Sequence, residues 1–185
     1  MMSPSPRAAD SNAHPAVSLA AVLIVLTRKA GAWHVLFIRR STRNDDRHSG
    51  QVAFPGGRVE AGDVDMTDTA LREAEEEIGL PRDKLRVLMQ LPDSDTSTGY
   101  VVTPVVAVLE DEFEPVLQTA EVARLFSMPL AWLREPGNRW SRLWRNRPVV
   151  YFKDYDGENL WGATARMTVS LLEALDSGEL TLPAQ

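Results

Sequence analysis

The apolar run over residues 17–26 passes through Arg28, Lys29, Ala30 and Gly31 into a second run, Trp33-His34-Val35-Leu36-Phe37-Ile38. Two apolar stretches separated by a short polar, glycine-containing break read as a β-hairpin and predict strands at 18–27 and 33–40. A polar loop at 41–51 follows, then a short extended piece at 52–54. The period then changes. Ala70, Leu71, Ala74 and Ile78 fall at i, i+1, i+4 and i+8, the stripe of a helix with one buried side, which predicts a helix over 67–78. Thr67 or Asp68 can cap its start, Asp65 and Asp68 suit the positive end of its dipole, and Gly79 followed by Pro81 marks a sharp stop.

Strand patterns recur near 85–91 and 103–109, ahead of a mostly acidic loop at 110–121. Beyond it lie a short helical or extended stretch at 122–133, a strand near 149–152 and a helix at 160–175. The segment from Pro136-Gly137 to Pro148 is the only other excursion, and there is no internal repeat. Mixed strands with two outer helices predict an α/β/α sandwich with a mixed β-sheet.

Composition agrees with one globular domain: 185 residues are enough for a single core, and 44% hydrophobic with 25% charged residues is globular usage. Residues 1–16, rich in Pro, Ser and Ala, read as a disordered lead, 17–178 as the domain and 179–185 as a C-terminal tail. With Arg7, the first apolar run faintly resembles a secretory h-region, but it is too short to span a membrane and leads straight into the hairpin. Cleavage there would remove a strand that the fold needs. The absence of cysteine excludes disulfides, thiolate metal sites and cysteine nucleophiles, and is compatible with a cytoplasmic location.

A net charge of −6 argues against generic nucleic-acid binding, yet Arg39, Arg40, Arg43, Arg47 and His48 form a local excess of positive charge. Arginine forks suit phosphate groups; they equally suit Asp45 and Asp46 within a solvated loop, and His48 alone is not read as catalytic. Trp132, Trp140, Trp144 and Trp161 read as core and interface more than as base-stacking residues, although one of them can cover an adenine.

The chemistry concentrates on the 67–78 helix, where Arg72, Glu73, Glu75, Glu76 and Glu77 lie close together. Glu73 and Glu77 are roughly 40° apart around the axis and Glu76 about 60° to the other side, so three carboxylates share a face expected to be exposed. Glu75 projects elsewhere and reads as surface. Charge runs are usually solvated faces. The other reading is a hard divalent cation on oxygen ligands, Mg²⁺ or Mn²⁺, which offsets a like-charge repulsion of about 0.2–0.5 kcal/mol per pair. Arg72, one turn before Glu76, can orient that carboxylate.

Gly57, Asp63, Arg72, Glu73, Glu76, Glu77 and Gly79 resemble the signature of the Nudix hydrolases, G-x5-E-x7-R-E-U-x-E-E-x-G-U with U bulky and apolar. From Arg72 to Leu80 the match is complete except that Ala74 is small for its position. Upstream, Asp63 replaces the usual glutamate and is separated from Arg72 by eight residues instead of seven. Arg40-Ser41 and Gly50-Gln51-Val52-Ala53-Phe54-Pro55-Gly56-Gly57 resemble the segment that marks the coenzyme A pyrophosphatase branch. So do Leu91-Pro92-Asp93-Ser94-Asp95, the stretch Thr96 to Val105, Met128-Pro129-Leu130 and Trp161-Gly162-Ala163-Thr164-Ala165. Where that branch places an arginine four residues before the glycine, this chain has Asp46, with Arg43 and Arg47 nearby.

The resemblance implies a Nudix-type sandwich and a Mg²⁺- or Mn²⁺-dependent hydrolase. Glu73, Glu76, Glu77 and the Gly57 carbonyl are then metal ligands, and Arg72 orients the site. Glu76 and Glu121 are both candidates for the general base, and Arg40, Arg43 and Arg47 for substrate contacts. The implied reaction splits the diphosphate of coenzyme A or acyl-CoA into 3′,5′-ADP and (acyl-)4′-phosphopantetheine. ADP-ribose, dinucleotides or nucleoside triphosphates are alternative substrates, and a non-hydrolytic nucleotide sensor is the alternative of another class. The expected partner is a small nucleotide, with no nucleic acid and no membrane; a homodimer is compatible with the family, and nothing in the residues requires it.

Overall fold

The computed structural model describes residues 18–42, 49–96 and 99–183. β1 (Ser18–Lys29) turns back through Ala30 and Gly31, at φ 49° and 80°, into β2 (Ala32–Arg40). Two left-handed residues in succession match the twist of the flanking strands, which makes this the favoured hairpin turn. β3 (Val52–Ala53) and β4 (Gly56–Arg58) precede α1 (Met66–Ile78); β5 (Leu85–Gln90), β6 (Ser94–Asp95), β7 (Tyr100–Leu109) and β8 (Val122–Pro129) follow. The chain continues through α2 (Leu130–Arg134), a hairpin of β9 (Arg139–Trp144) and β10 (Arg147–Phe152), and α3 (Gly162–Ser177).

The central sheet runs β3-β2-β1-β7-β5, with β8 on the other edge of β2, and is mixed, because β1 pairs parallel with β7 and antiparallel with β2. Its first strand is apolar throughout because both faces are covered. Ala21, Leu23 and Val25 join one core with Ala70, Ala74 and Ile78 of α1, while Ala20, Ile24 and Leu26 join the other with Leu171 and Leu172 of α3. This is the expected α/β/α sandwich.

One irregularity in the sheet positions the site. β1 and β2 pair only over 26–29 against 32–35, and where they part the segment 52–58 fills the gap. β3 pairs with Ile38 and Arg39, β4 with Ala20, Ala21 and Val22, and Leu23 N–H donates to the Pro55 carbonyl at 2.8 Å. Gly56 and Gly57 are thereby laid against α1.

Several boundaries differ from the sequence reading. α1 is capped by Asp65, whose side chain accepts from the Asp68 N–H, and not by Thr67 or Asp68; Met66 packs against the α1-side core and draws the helix start back. The stretch at 122–133 is both extended and helical, switching at Pro129. β9 goes unseen in the sequence because its turn, Arg145-Asn146 at φ 47° and 62°, repeats the Ala30-Gly31 geometry without a glycine. Leu180, which follows α3, is buried among the α3-side core residues. The lead at 1–16 and the loop residues Arg43, Arg47 and His48 lie outside the described residues. No helix among the described residues is long and apolar enough to cross a membrane.

Candidate active site

α1 presents its acidic residues at three depths. Glu77 faces the sheet and is only 2% exposed, which corrects the expectation of an exposed face: the buried stripe of the helix includes it, beside Ala70, Ala74 and Ile78. Its carboxylate accepts from the Gly56 N–H at 3.0 Å. Burial pushes its pKa up to about 8; the Gly56 N–H and Arg40 pull it down, while Glu73 and Glu121 push it further up. Glu73 is intermediate in depth, and burial raises its pKa too, against the Arg72 hydrogen bond. Glu76 is 60% exposed. Glu75 is surface, as expected, with Arg82 at 3.3 Å.

Arg72 organises the outer part of this cluster. Its Nε and Nη2 donate to the two oxygens of Asp63 at 2.8 and 3.0 Å, its Nη1 reaches Glu73 at 3.0 Å and Glu76 at 3.3 Å, and its Nη2 also donates to the Arg58 carbonyl at 3.0 Å. Asp63 in turn accepts from the Glu60 N–H and from Thr69 Oγ1, each at 2.8 Å. The Arg72 hydrogen bond, with the Glu60 N–H, holds the Asp63 carboxyl well below the usual carboxylate range, and Asp63 raises the guanidinium in return. Arg72 thus fixes more than Glu76; its principal anchor is Asp63. Between Asp63 and Arg72, Asp65 forms the helix cap.

The two glycines are required by close approach. A Cβ on Gly57 would overlap the Glu73 carboxylate, and one on Gly56 would come within 2.6 Å of Val22 Cα, at a φ of 158°.

Glu121 and Arg40 arrive from the opposite side. Ser41 N–H and Oγ donate to the carbonyls of Glu121 and Thr119, both at 2.8 Å, lacing the end of β2 to the start of β8. Glu121 lies near enough to bear on both Glu73 and Glu77, and Arg40 on Glu77. The structure therefore brings Arg40, Gly57, Arg72, Glu73, Glu76, Glu77 and Glu121 into one region.

The remaining segments that resemble the coenzyme A branch meet around α3. Thr164 Oγ1 donates to the Val52 carbonyl at 3.1 Å, Arg166 holds Ser94 Oγ through Nε and Nη2 at 3.0 and 2.8 Å, and Thr103 Oγ1 donates to Asp93 at 2.7 Å. Sequence reasoning missed Glu158, which is 2% exposed and held by Arg39 at 3.2 Å and Arg124 at 2.8 Å. Arg39 and Arg124 are cross-strand neighbours, a relationship that no local pattern reveals.

As the side chains stand, no three carboxylates or imidazoles among the described residues converge closely enough to hold a metal ion; Arg72 draws Glu73 and Glu76 to itself. The donor set nevertheless fits a hard cation. It consists of carboxylate oxygens, and the most buried, Glu77, carries its negative charge at a cost that a nearby cation would remove.

The NUDIX domain model matches residues 17–166. The chain is 35% identical over 179 residues to an uncharacterized Nudix hydrolase, NudL, of Yersinia enterocolitica, covering 95% of this chain and 89% of the relative. To NudL of Photorhabdus laumondii it is 37% identical, covering 92% and 89%. Among solved structures, the Nudix hydrolase RenU from M. smegmatis superposes with a TM-score of 0.62 at 20% identity over 91% of each chain, a likeness of fold. With that match across the sandwich and the acidic helix, the chain belongs to the Nudix hydrolase family and is a Nudix pyrophosphatase.

Proposed function

We propose that this enzyme hydrolyses the diphosphate of coenzyme A or its thioesters, giving 3′,5′-ADP and (acyl-)4′-phosphopantetheine, in the cytoplasm. The observation that supports this reading is geometric: the Gly56 N–H donates to buried Glu77, and Ser41, next to Arg40, is hydrogen-bonded to Glu121, so both segments flank the acidic helix. Two of the segments resembling the coenzyme A branch thereby lie beside the acidic helix, and the others lie nearer α3.

Splitting a P–O–P bond with water demands neutralised phosphate oxygens, an oriented water and a stabilised leaving phosphate. In this reading Glu73, Glu76, Glu77 and the Gly57 carbonyl hold Mg²⁺ or Mn²⁺, which when bound supplies charge neutralisation and a more acidic water. Arg72, locked by Asp63, keeps Glu73 and Glu76 in place. Glu121 or Glu76 takes the proton of the attacking water. Arg40 meets a phosphate; Arg43 and Arg47 are assigned to the same substrate.

Purified protein incubated with coenzyme A, acetyl-CoA, ADP-ribose and a nucleoside triphosphate, with Mg²⁺ or Mn²⁺ and products identified by mass, tests the proposal. Preferential release of 3′,5′-ADP from coenzyme A is the expected result. Preference for ADP-ribose or a triphosphate would replace the substrate, and no cleavage of any diphosphate by folded protein would leave a sensor.

A further inference from the structure

Trp132 packs inside, stacked on Phe152 at 6.4 Å and edge-on to Tyr155 at 4.9 Å. Trp140 and Trp161 do not: each is 42% exposed, and Trp144 more so. The β9–β10 register sets Trp140 opposite Tyr151, Arg142 opposite Val149 and Trp144 opposite Arg147, so all six share one face of the hairpin. Tyr151 also bridges to Trp161. The outcome is a row of nearly parallel rings, Trp140 to Tyr151 at 6.0 Å and 13°, Tyr151 to Trp161 at 6.1 Å and 9°.

Beside the row lies a cleft of about 360 Å³, walled by buried Phe152 and Leu160 and edged by Asp154 and Asn159. An apolar cleft of this size with a few polar groups at its rim is the form of a small-molecule site. Its charge setting is also specific: Arg139, Arg142, Arg145 and Arg147 occur with no acidic residue between 139 and 152, in a chain of net charge −6.

We infer that this cleft binds a purine nucleotide. The base stacks on the Trp140–Tyr151–Trp161 row, Asn159 and Asp154 meet the polar edge of the ring, and a phosphate meets Arg142 or Arg147. A second copy of the chain suits the face poorly, because a two-fold contact through it would bring two sets of these arginines together. Phe152 and Leu160 belong to the α3-side core, whereas Glu77 faces the α1 side, so the inference does not depend on the substrate proposed above.

AMP has no diphosphate to be cut, so it can be titrated calorimetrically into the full-length, Mg²⁺-loaded protein beside ribose 5-phosphate. The expected result is saturable AMP binding at least tenfold tighter than that of ribose 5-phosphate, weakened roughly fivefold or more by Trp140→Ala. Trp140→Phe should recover most of the loss, which separates stacking from a folding defect, and Arg142→Ala should weaken AMP as well. Equal affinities for AMP and ribose 5-phosphate, or AMP binding indifferent to Trp140→Ala, would overturn the site. So would a dimer that Trp140→Ala dissociates without touching AMP affinity. The source of the base is read from kinetics: a raised KM for the hydrolysed substrate in Trp140→Ala assigns it to that substrate, and a retained KM with lost AMP binding assigns a separate nucleotide. Failure of the hydrolysis assay would leave the AMP result untouched.

Discussion

Arg72 grips Asp63 through two parallel hydrogen bonds, 2.8 and 3.0 Å long, and the same guanidinium reaches Glu73 and Glu76. A bidentate pair fixes the plane of the guanidinium as well as its position. Asp63, with its side chain only 3% exposed, is therefore the peg on which the outer carboxylates hang.

Asp63→Asn keeps the size of the side chain but loses the charge and one acceptor. Arg72 is then free to close further on Glu73 and Glu76, in competition with a metal ion. Loss of an outer-shell partner of this kind costs about 10–100-fold in metal affinity or activity. Turnover measured against Mg²⁺ concentration should fall by that much and be partly restored by excess metal; a wild-type metal titration would remove Asp63 from this role.

Adjacent glycines should fail differently. Gly56→Ala drives a methyl into the β1 backbone at Val22, which cannot move, and should destabilise the fold by about 1–3 kcal/mol. Gly57→Ala meets only the end of the Glu73 side chain, which can swing away. Its melting temperature should stay close to wild type while turnover drops steeply. Equal thermal losses in both variants would contradict the distinction.

The sandwich was legible because its core strands and two long helices obey simple periods: the unbroken run of β1, and the stripe Ala70, Ala74, Ile78 of α1. Glu73 and Glu77 were likewise legible from spacing. Their depths were missed by attending to the charges: at about 100° per residue Glu77 lies about 20° from Ala70, within the apolar stripe, and Glu73 about 60° from it, and the Gly56 N–H then meets the buried carboxylate. Asp63 stands at the place of the signature's glutamate, but its role as the anchor of Arg72 was obscured by the additional intervening residue, and Glu158 was hidden by its dependence on Arg39 and Arg124, which arrive from strands far apart in sequence. The β9–β10 hairpin was hidden by a turn made of Arg145 and Asn146.

Arg40 bears electrostatically on Glu77. Two placements of the substrate divide on this: the 3′-phosphate of coenzyme A or the diphosphate itself can lie against Arg40. If the 3′-phosphate does, Arg40→Ala should raise KM for coenzyme A about tenfold or more and leave the form lacking that phosphate nearly unchanged, since a charge-assisted hydrogen bond contributes about 1.5–3 kcal/mol. Equal losses on both substrates would move Arg40 to the diphosphate.

Glu77 also gives the fold a dependence on pH that a metal ion should remove. Its pKa is about 8 in the folded protein, against an ordinary value of 4.5. Below the lower value it is protonated in both states and has no effect. Between the two, the unfolded chain releases the proton while the folded one keeps it, so stability falls by on the order of 1.4 kcal/mol for each pH step of one, and the full penalty persists above pH 8. Glu77→Gln retains an oxygen to accept from Gly56 but does not titrate. In metal-free protein, the melting temperature of the glutamine variant minus that of wild type should therefore grow between pH 5 and 8.5 by roughly 5 °C or more. Added Mg²⁺ should close the gap from the wild-type side, because binding to the folded state alone stabilises it. Parallel melting curves across that range would show that the Glu77 carboxylate ionises as easily inside the fold as outside it.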